Sequence, residues 1–408
     1  MSTEAATVSP VTAPKEESFD TAQVLTIAGG HLVHDSFSAF LNPLLPLIIE
    51  KLNLTLALAG SLSLYFRLPS LIHPLIGMLA DRIDLRMLVI VAPAGTAAVM
   101  SLIGLAPSYA MLALLLFAGG LFSAALHVPA PVIVSRVSGA RTGLGMSLWM
   151  MAGELARTIG PLLAVAVVSW WTLEGYYPVM VLGFLTSLFL FYRFKGFAIR
   201  PRAKSSKGSL REGWRAIARL MLPMTALMLF RGFMRAALST FLPVYMVSIS
   251  ADSSLWDGGR ALAVVELAGA LGALSAGTLS DRVSRRLVLL VALLSAPLLF
   301  MAFLAVEGEG WLGTLFLALT GFAALSTTPV MMAMVQDHGR DQPATSNGIY
   351  MGINFIIGAA AAPLVGYVGD IASLSVAFAG SAIVSLVAAP LVFLLPLDTE
   401  EKAGAETV

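Results

Sequence analysis

Asp35 stands in an otherwise apolar run, with His31 four residues before it and His34 beside it; Ser38 and Asn42 continue the series. Spacings of three and four place these side chains in one polar stripe if the run is a helix. A carboxylate among imidazoles is proton-handling chemistry. Histidine is the side chain whose ordinary titration lies nearest physiological pH, and a buried carboxylate changes its proton affinity as a cation approaches or leaves. His73 and His127 lie in two further apolar runs. The alternative for each histidine, and for Asp35, is a plain hydrogen bond between helices.

Arginine supplies the complementary chemistry. Arg67, Arg157, Arg231 and Arg235 all lie in apolar runs, and a guanidinium offers two parallel donors to a carboxylate or phosphonate. Arg231 and Arg235 have no acidic neighbour on their own run, so they suit an anionic solute or pair with Asp35 or Glu266 across the molecule. Arg231 is placed to snorkel to the membrane surface, which favours Arg235 as the solute-binding residue. Glu154 and Arg157, three residues apart, either neutralise each other or take part in binding. Asn347, Tyr350 and Asn354 form another polar stripe.

These residues need membrane helices to position them. Hydrophobic residues make up 58% of the 408 and charged residues only 12%, with a mean hydropathy of +0.86. A water-soluble domain does not carry that balance. About 20 apolar residues cross the hydrocarbon core as a helix, and the sequence supplies twelve such runs, at 22–49, 57–79, 87–106, 108–135, 143–170, 176–194, 217–248, 260–280, 287–306, 311–335, 344–369 and 373–396, numbered here helix 1 to helix 12. A charged side chain at the middle of such a helix costs about 3 kcal/mol on insertion scales, so the polar stripes call for a purpose. A wet cavity beside helix 1 is the expectation.

The polar stretch between helices 6 and 7 carries Arg200, Arg202, Lys204, Lys207, Arg211 and Arg215. Basic residues from Arg82 through Arg340 cluster in the loops on its side, and only Lys51 and Arg260 fall on the other. The positive-inside rule makes the linker side cytoplasmic, and an even number of spans puts both termini there too. The expected organisation is a disordered tail over 1–20, a bundle over 21–195, a basic linker over 196–216, a second bundle over 217–397 and a tail over 398–408.

The two bundles repeat. Gly77-Met78-Leu79-Ala80-Asp81-Arg82 returns as Gly277-Thr278-Leu279-Ser280-Asp281-Arg282, an offset of 200 residues that also relates Pro43 to Pro243 and Pro129 to Pro329. Glycine lets helix ends approach closely, and a carboxylate there can cap the N-terminus of a neighbouring helix. A charged turn that only obeys the positive-inside rule is the alternative, and its occurrence twice argues against it. Helix 5 adds the small residues Gly145, Gly153, Ala156 and Gly160 before Pro161, a surface for close helix packing with a kink.

The repeated turn resembles the pattern G-x-L-x-D-R-x-G-R-[RK] of the major facilitator superfamily. Gly77, Leu79, Asp81, Arg82 and Arg86 match, with Asp84 and Leu85 departing; Gly277, Leu279, Asp281, Arg282, Arg285 and Arg286 match in the second copy, with Ser284 at the glycine position. The resemblance implies a secondary transporter working by alternating access, with Asp81 in a cytoplasmic gate against helix 11. Helix 5 partly resembles the superfamily's antiporter motif, which implies proton-driven export over uptake. His31-Leu32-Val33-His34-Asp35 and His127 near Pro129 are similar to the fosmidomycin-resistance branch, although Val128 intervenes and the branch's glutamate is missing.

Other chemistry finds little support. The sequence has no cysteine, hence no disulfide and no thiolate metal site. No H-E-x-x-H or Walker pattern occurs, the N-terminus lacks the form of a cleavable signal peptide, and the linker is the only basic stretch available to nucleic acid. The expectation is an all-α membrane protein with twelve transmembrane helices in two six-helix pseudo-symmetric bundles, multi-pass in the inner membrane. It would move a small organic compound, with protons as its other partner, act as a functional monomer, use no cofactor or metal, and not be an enzyme. Uptake of an organic anion is the second reading; a membrane enzyme or sensor that moves no solute is the third.

Overall fold

The computed structural model describes residues 19–80, 84–195, 210–307, 310–339 and 343–396. Within them the twelve runs are helical. Eleven helices have the length and apolarity to cross a membrane: Thr21–Leu52, Arg86–Leu105, Tyr109–Val137, Thr142–Gly175, Tyr177–Phe194, Arg211–Ser248, Leu255–Ser280, Arg285–Ala305, Gly310–His338, Thr345–Ile371 and Leu374–Leu394. Helix 2 is the twelfth, running as Leu56–Ile72 and then His73–Ala80. Helix 7 starts at Leu210, inside the stretch read as linker, because Trp214 and the apolar residues after it extend the helix backwards past Arg215.

Local chemistry starts the helices on the side opposite the linker. Thr55, Ser108 and Ser373 accept from the backbone N–H three residues on, at 3.2–3.3 Å, and so cap helices 2, 4 and 12. Ser254 and Asp257 cap each other's backbone at helix 8. Proline sets the breaks. Helix 1 turns between Ser38 and Leu41 before Pro43, and helix 7 opens into a π-helical stretch at Ala237–Phe241 before Pro243. Each proline lacks the N–H that would bond the carbonyl four residues back, so the repeat reproduces its irregularities as well as its helices.

Packing shows which ends are joined. One apolar core spans both halves and draws on Phe37, Phe40, Leu44 and Tyr176 from the first and Phe241, Phe300, Ala362 and Phe378 from the second. These lie toward the far side. Toward the linker the core divides, with Val89, Ile133 and Leu190 in one cluster and Met221, Met331 and Leu289 in another. Pro129–Val137 there packs on elements of its own half, as does most of His73–Ala80, whose first residue His73 still meets Phe355 of the other half. The halves are therefore sealed on the far side and parted on the linker side. Exposed Leu114, Leu182 and Leu298 face outward, as lipid contact requires.

Candidate functional site

Three side chains from helices 1 and 4 meet within the first half. His31 donates from Nδ1 to the carbonyl of Trp149 at 3.0 Å, which turns its Nε2 toward Asp35 Oδ2 at 3.1 Å and His127 Nε2 at 3.3 Å. His127 donates from Nδ1 to the carbonyl of Ser123 at 2.9 Å, and its Nε2 lies 3.4 Å from Asp35 Oδ1. The break between Tyr109–His127 and Pro129–Val137 brings the His127 ring to this point. His34 Nε2 is 3.8 Å from Asp35 Oδ1, and both its ring nitrogens are buried without a hydrogen-bond partner among the described residues.

The surroundings hold the imidazoles in place. The Trp149 ring stacks on His31 at 3.7 Å between centroids. A Cβ at Gly153 would lie 2.6 Å from His31 Cε1 and 3.5 Å from Asp35 Oδ2, so a glycine is needed there to admit the ring. With both Nδ1 atoms donating to carbonyls, neutral imidazoles present lone pairs at Nε2. Two such lone pairs and a carboxylate converge on one place, where a single shared proton turns repulsion into hydrogen bonds. The His127 side chain is 34% exposed and that of Asp35 14%, which leaves a way in. The same donors are of the kind that bind a divalent transition-metal ion, though they supply three of the four positions such an ion takes.

A second group of charges lines the divide between the halves. Arg67, Arg231, Arg235, Ser239 and Asn354 border a small cleft between the halves. Arg231 is buried and donates to Thr327 Oγ1 at 3.0 Å and Asn354 Oδ1 at 3.1 Å. It does not snorkel, because these partners hold it in the bundle. The Arg67 guanidinium lies 5.8 Å over the Phe355 ring. Arg157 pairs with Glu154 on its own helix and with Glu266 of the other half at 3.4 Å. Both acids near the divide share this one guanidinium, and no carboxylate is within ion-pair distance of Arg67, Arg231 or Arg235 among the described residues, so positive charge is in excess. The cleft is a cationic one.

Several expectations need correction. Asp35 and Arg235 form no ion pair among the described residues: the carboxylate is turned to the histidines of its own half, while Arg235 borders the cleft. The helix 1 stripe is mostly covered rather than facing open water, since His31 and His34 are buried, and Asn42 is not among the groups hydrogen-bonded at Asp35. Tyr350 is wholly buried in the core of the second half, and the Asn347 Oδ1 is buried without a partner among the described residues, so of that stripe only Asn354 reaches the cleft. Gly160 packs helix 5 on helix 1, its added Cβ falling 2.7 Å from the Ser36 carbonyl; the carbonyl of Pro161 lies 3.5 Å from where a Cβ on Gly259 would fall. This is inter-helix packing next to the site.

At the expected gate, Gly77 lies in His73–Ala80, and Asp81 and Arg82 lie outside the described residues. Arg86 pairs with Asp84 at 3.3 Å and donates to the carbonyl of Phe194, which ties helix 3 to helix 6. Arg286 makes the equivalent bond to Leu395, 200 residues later. Both arginines fasten a half internally. Gly277 has nothing within 4 Å of an added Cβ, and Asp281 and Arg282 are exposed, as a parted linker side requires. Sequence reading missed Trp149, Thr327 and Asp370. Asp370 had a signal, because Gly366-x-x-x-Asp370 ends helix 11 as Gly77-x-x-x-Asp81 follows helix 2.

Two six-helix halves parted around a charged cleft define a transporter fold. Residues 27–363 match the family model described as Major Facilitator Superfamily, and the chain belongs to that superfamily of membrane transporters. It is 26% identical to an uncharacterised transporter of the superfamily, YfnC of Bacillus subtilis, over 90% of this chain and 91% of that one. It is 22% identical to the fosmidomycin resistance protein of Escherichia coli over 90% and 91%. Among solved structures, a bacterial homologue of the human lysosomal transporter Spinster, in an inward-facing and unoccupied conformation, superposes with a TM-score of 0.75 at 16% identity, covering 91% of this chain and 96% of that one.

Proposed function

We propose that this chain is a proton-coupled secondary transporter that works by alternating access and exports a small anionic organic compound from the cytoplasm. The observation that carries the reading is the juxtaposition of two sites: a proton-sized convergence of His31, His127 and Asp35, and a cationic cleft bordered by Arg67, Arg231 and Arg235 between the halves. The cleft selects negative charge in the solute, and the imidazole–carboxylate cluster takes the coupling proton. Export is supported by the partial antiporter motif of helix 5 and by relatives named for drug resistance, among them the fosmidomycin resistance protein and the multidrug resistance protein MdtG of Klebsiella pneumoniae, 25% identical over 71% of this chain. The basic linker supports a cytoplasmic orientation of the parted side, and the reading takes the bilayer as the inner membrane and the functional unit as a monomer.

The test is counterflow by purified protein in liposomes against anionic, cationic and neutral solutes, with and without an imposed pH gradient. An anionic solute driven against its gradient by an opposing proton gradient is expected. Flux that ignores the pH gradient sinks the coupling, and a preference for cations sinks the assignment of the cleft.

A further inference from the structure

Helices 2 and 11 lie side by side across the divide and run in opposite directions, and the far-side contact between them has an unusual donor set. Asp370, at the end of helix 11, accepts from the backbone N–H of Leu56 at 2.7 Å through Oδ1 and from that of Ala57 at 2.9 Å through Oδ2. These are the first two amides of helix 2. The third, that of Leu58, goes to the Thr55 hydroxyl at 3.2 Å. A carboxylate from one half thus completes the N-terminus of a helix in the other, where charge-assisted hydrogen bonds and the helix dipole act together.

The seam is built for this approach. An added Cβ would lie 2.2 Å from the Leu56 carbonyl at Gly366, 2.6 Å from the Ala362 carbonyl at Gly60 and 2.7 Å from Leu56 Cδ1 at Gly369. The pseudo-symmetric position differs: helix 8 is capped from within by Ser254 and Asp257, with Ser254 N–H donating at 2.7 Å. Its cap comes from its own half. Among the described residues, the contact between helices 2 and 11 is the one in which a side chain of one half caps a helix of the other.

We propose that Asp370 is the far-side latch of the transport cycle. The bonds to Leu56 and Ala57 stabilise the state closed on the far side and open on the linker side, and they must break for the far side to open. Asp81 follows the other end of helix 2, on the side of the membrane where helix 11 begins. With Asp81 in the linker-side gate that the superfamily resemblance implies, the two carboxylates bias the two states in opposite directions. This rests on the alternating-access reading.

The native sequence has no cysteine, so a single introduced pair reports on the divide without further engineering. Ala110→Cys at the start of helix 4 and Ala251→Cys in the turn before helix 8 are both exposed far-side positions; spin labels there report the far-side distance in nanodiscs by pulsed electron resonance. Asp370→Asn is expected to raise the ratio of long to short distances about tenfold, equivalent to about 1.4 kcal/mol. Leu56→Pro removes the donor from the opposite half and should act in the same direction. Proline is favoured at the first helical position, and Thr55 before it is extended, with ψ 158°, so the backbone accepts this substitution and it tests the latch independently of Asp370→Asn. Thr55→Ala removes a cap bond that stays within helix 2 and should leave the ratio unchanged. If the wild type shows both distances and neither Asp370→Asn nor Leu56→Pro shifts them, the latch is wrong and alternating access stands. A wild type that transports with one invariant distance overturns both.

Discussion

His31 and His127 face each other through their Nε2 atoms at 3.3 Å across helices 1 and 4, each tied to a backbone carbonyl through its other nitrogen. The carbonyl bonds fix the tautomer, so neutral rings oppose two lone pairs beside the Asp35 carboxylate. A proton at that place serves all three groups. Asp35→Asn and His127→Gln should therefore abolish flux driven by a pH gradient while leaving solute counterflow within a few-fold of wild type. Gradient-driven flux at the wild-type rate in either variant would remove the cluster from coupling.

Gly153→Ala separates packing from chemistry. The new methyl would press on the His31 ring, so coupling should fall by at least tenfold although alanine is the better helix former by about 1 kcal/mol. Gly143 lies on the same helix with nothing within 4 Å of an added Cβ, and Gly143→Ala should transport normally with unchanged or higher thermal stability. Equal behaviour of the two variants, measured as proton-driven flux and melting temperature, would show that Gly153 is only a packing residue.

The extent to which this arrangement is legible in the sequence follows the range of the interactions. The twelve apolar runs depend on local composition and are helical in the structure; of the helix 1 stripe His31, His34 and Asp35 come together, and the first copy of the duplicated turn lies partly outside the described residues. His127 could be suspected from its apolar setting, but its contact with His31 depends on how helix 4 breaks before Pro129. Asp35 and Arg235 are likewise 200 residues apart; equivalent positions in two halves share a depth in the membrane, but side-chain direction is set by local packing, and the two do not pair. Trp149 is hidden because its stacking and its carbonyl act through tertiary contact. Asp370 carries a visible Gly-x-x-x-Asp pattern, yet the identity of the capped helix is a fact of the divide.

The separation of Asp35 from Arg235 has a measurable consequence. Residues without a shared partner have effects that add within about 0.5 kcal/mol. Arg235→Gln should weaken binding of an anionic solute about tenfold or more, because the cleft loses one of three cations that no acid neutralises. Asp35→Asn in the same protein should neither rescue nor worsen that loss. A double-mutant cycle on solute affinity checks this, and coupling above about 1 kcal/mol would mean that the two side chains meet in another state of the cycle.

Asp81, which follows helix 2 in the sequence, and Asp370, which caps the start of that helix, should oppose each other in transport. Asp81→Asn removes a carboxylate on the linker side, and as a change in the balance of two conformations it should depress flux while leaving solute affinity within a few-fold. Asp370→Asn should shift the balance the other way, with far-side labels reporting more of the open form. In the double variant the shifts should partly cancel, so that the distance distribution returns toward that of the wild type while both states lose stability and the protein melts at a lower temperature than either single variant. Far-side distances in the double variant that match Asp370→Asn alone would mean that Asp81 has no part in setting the equilibrium.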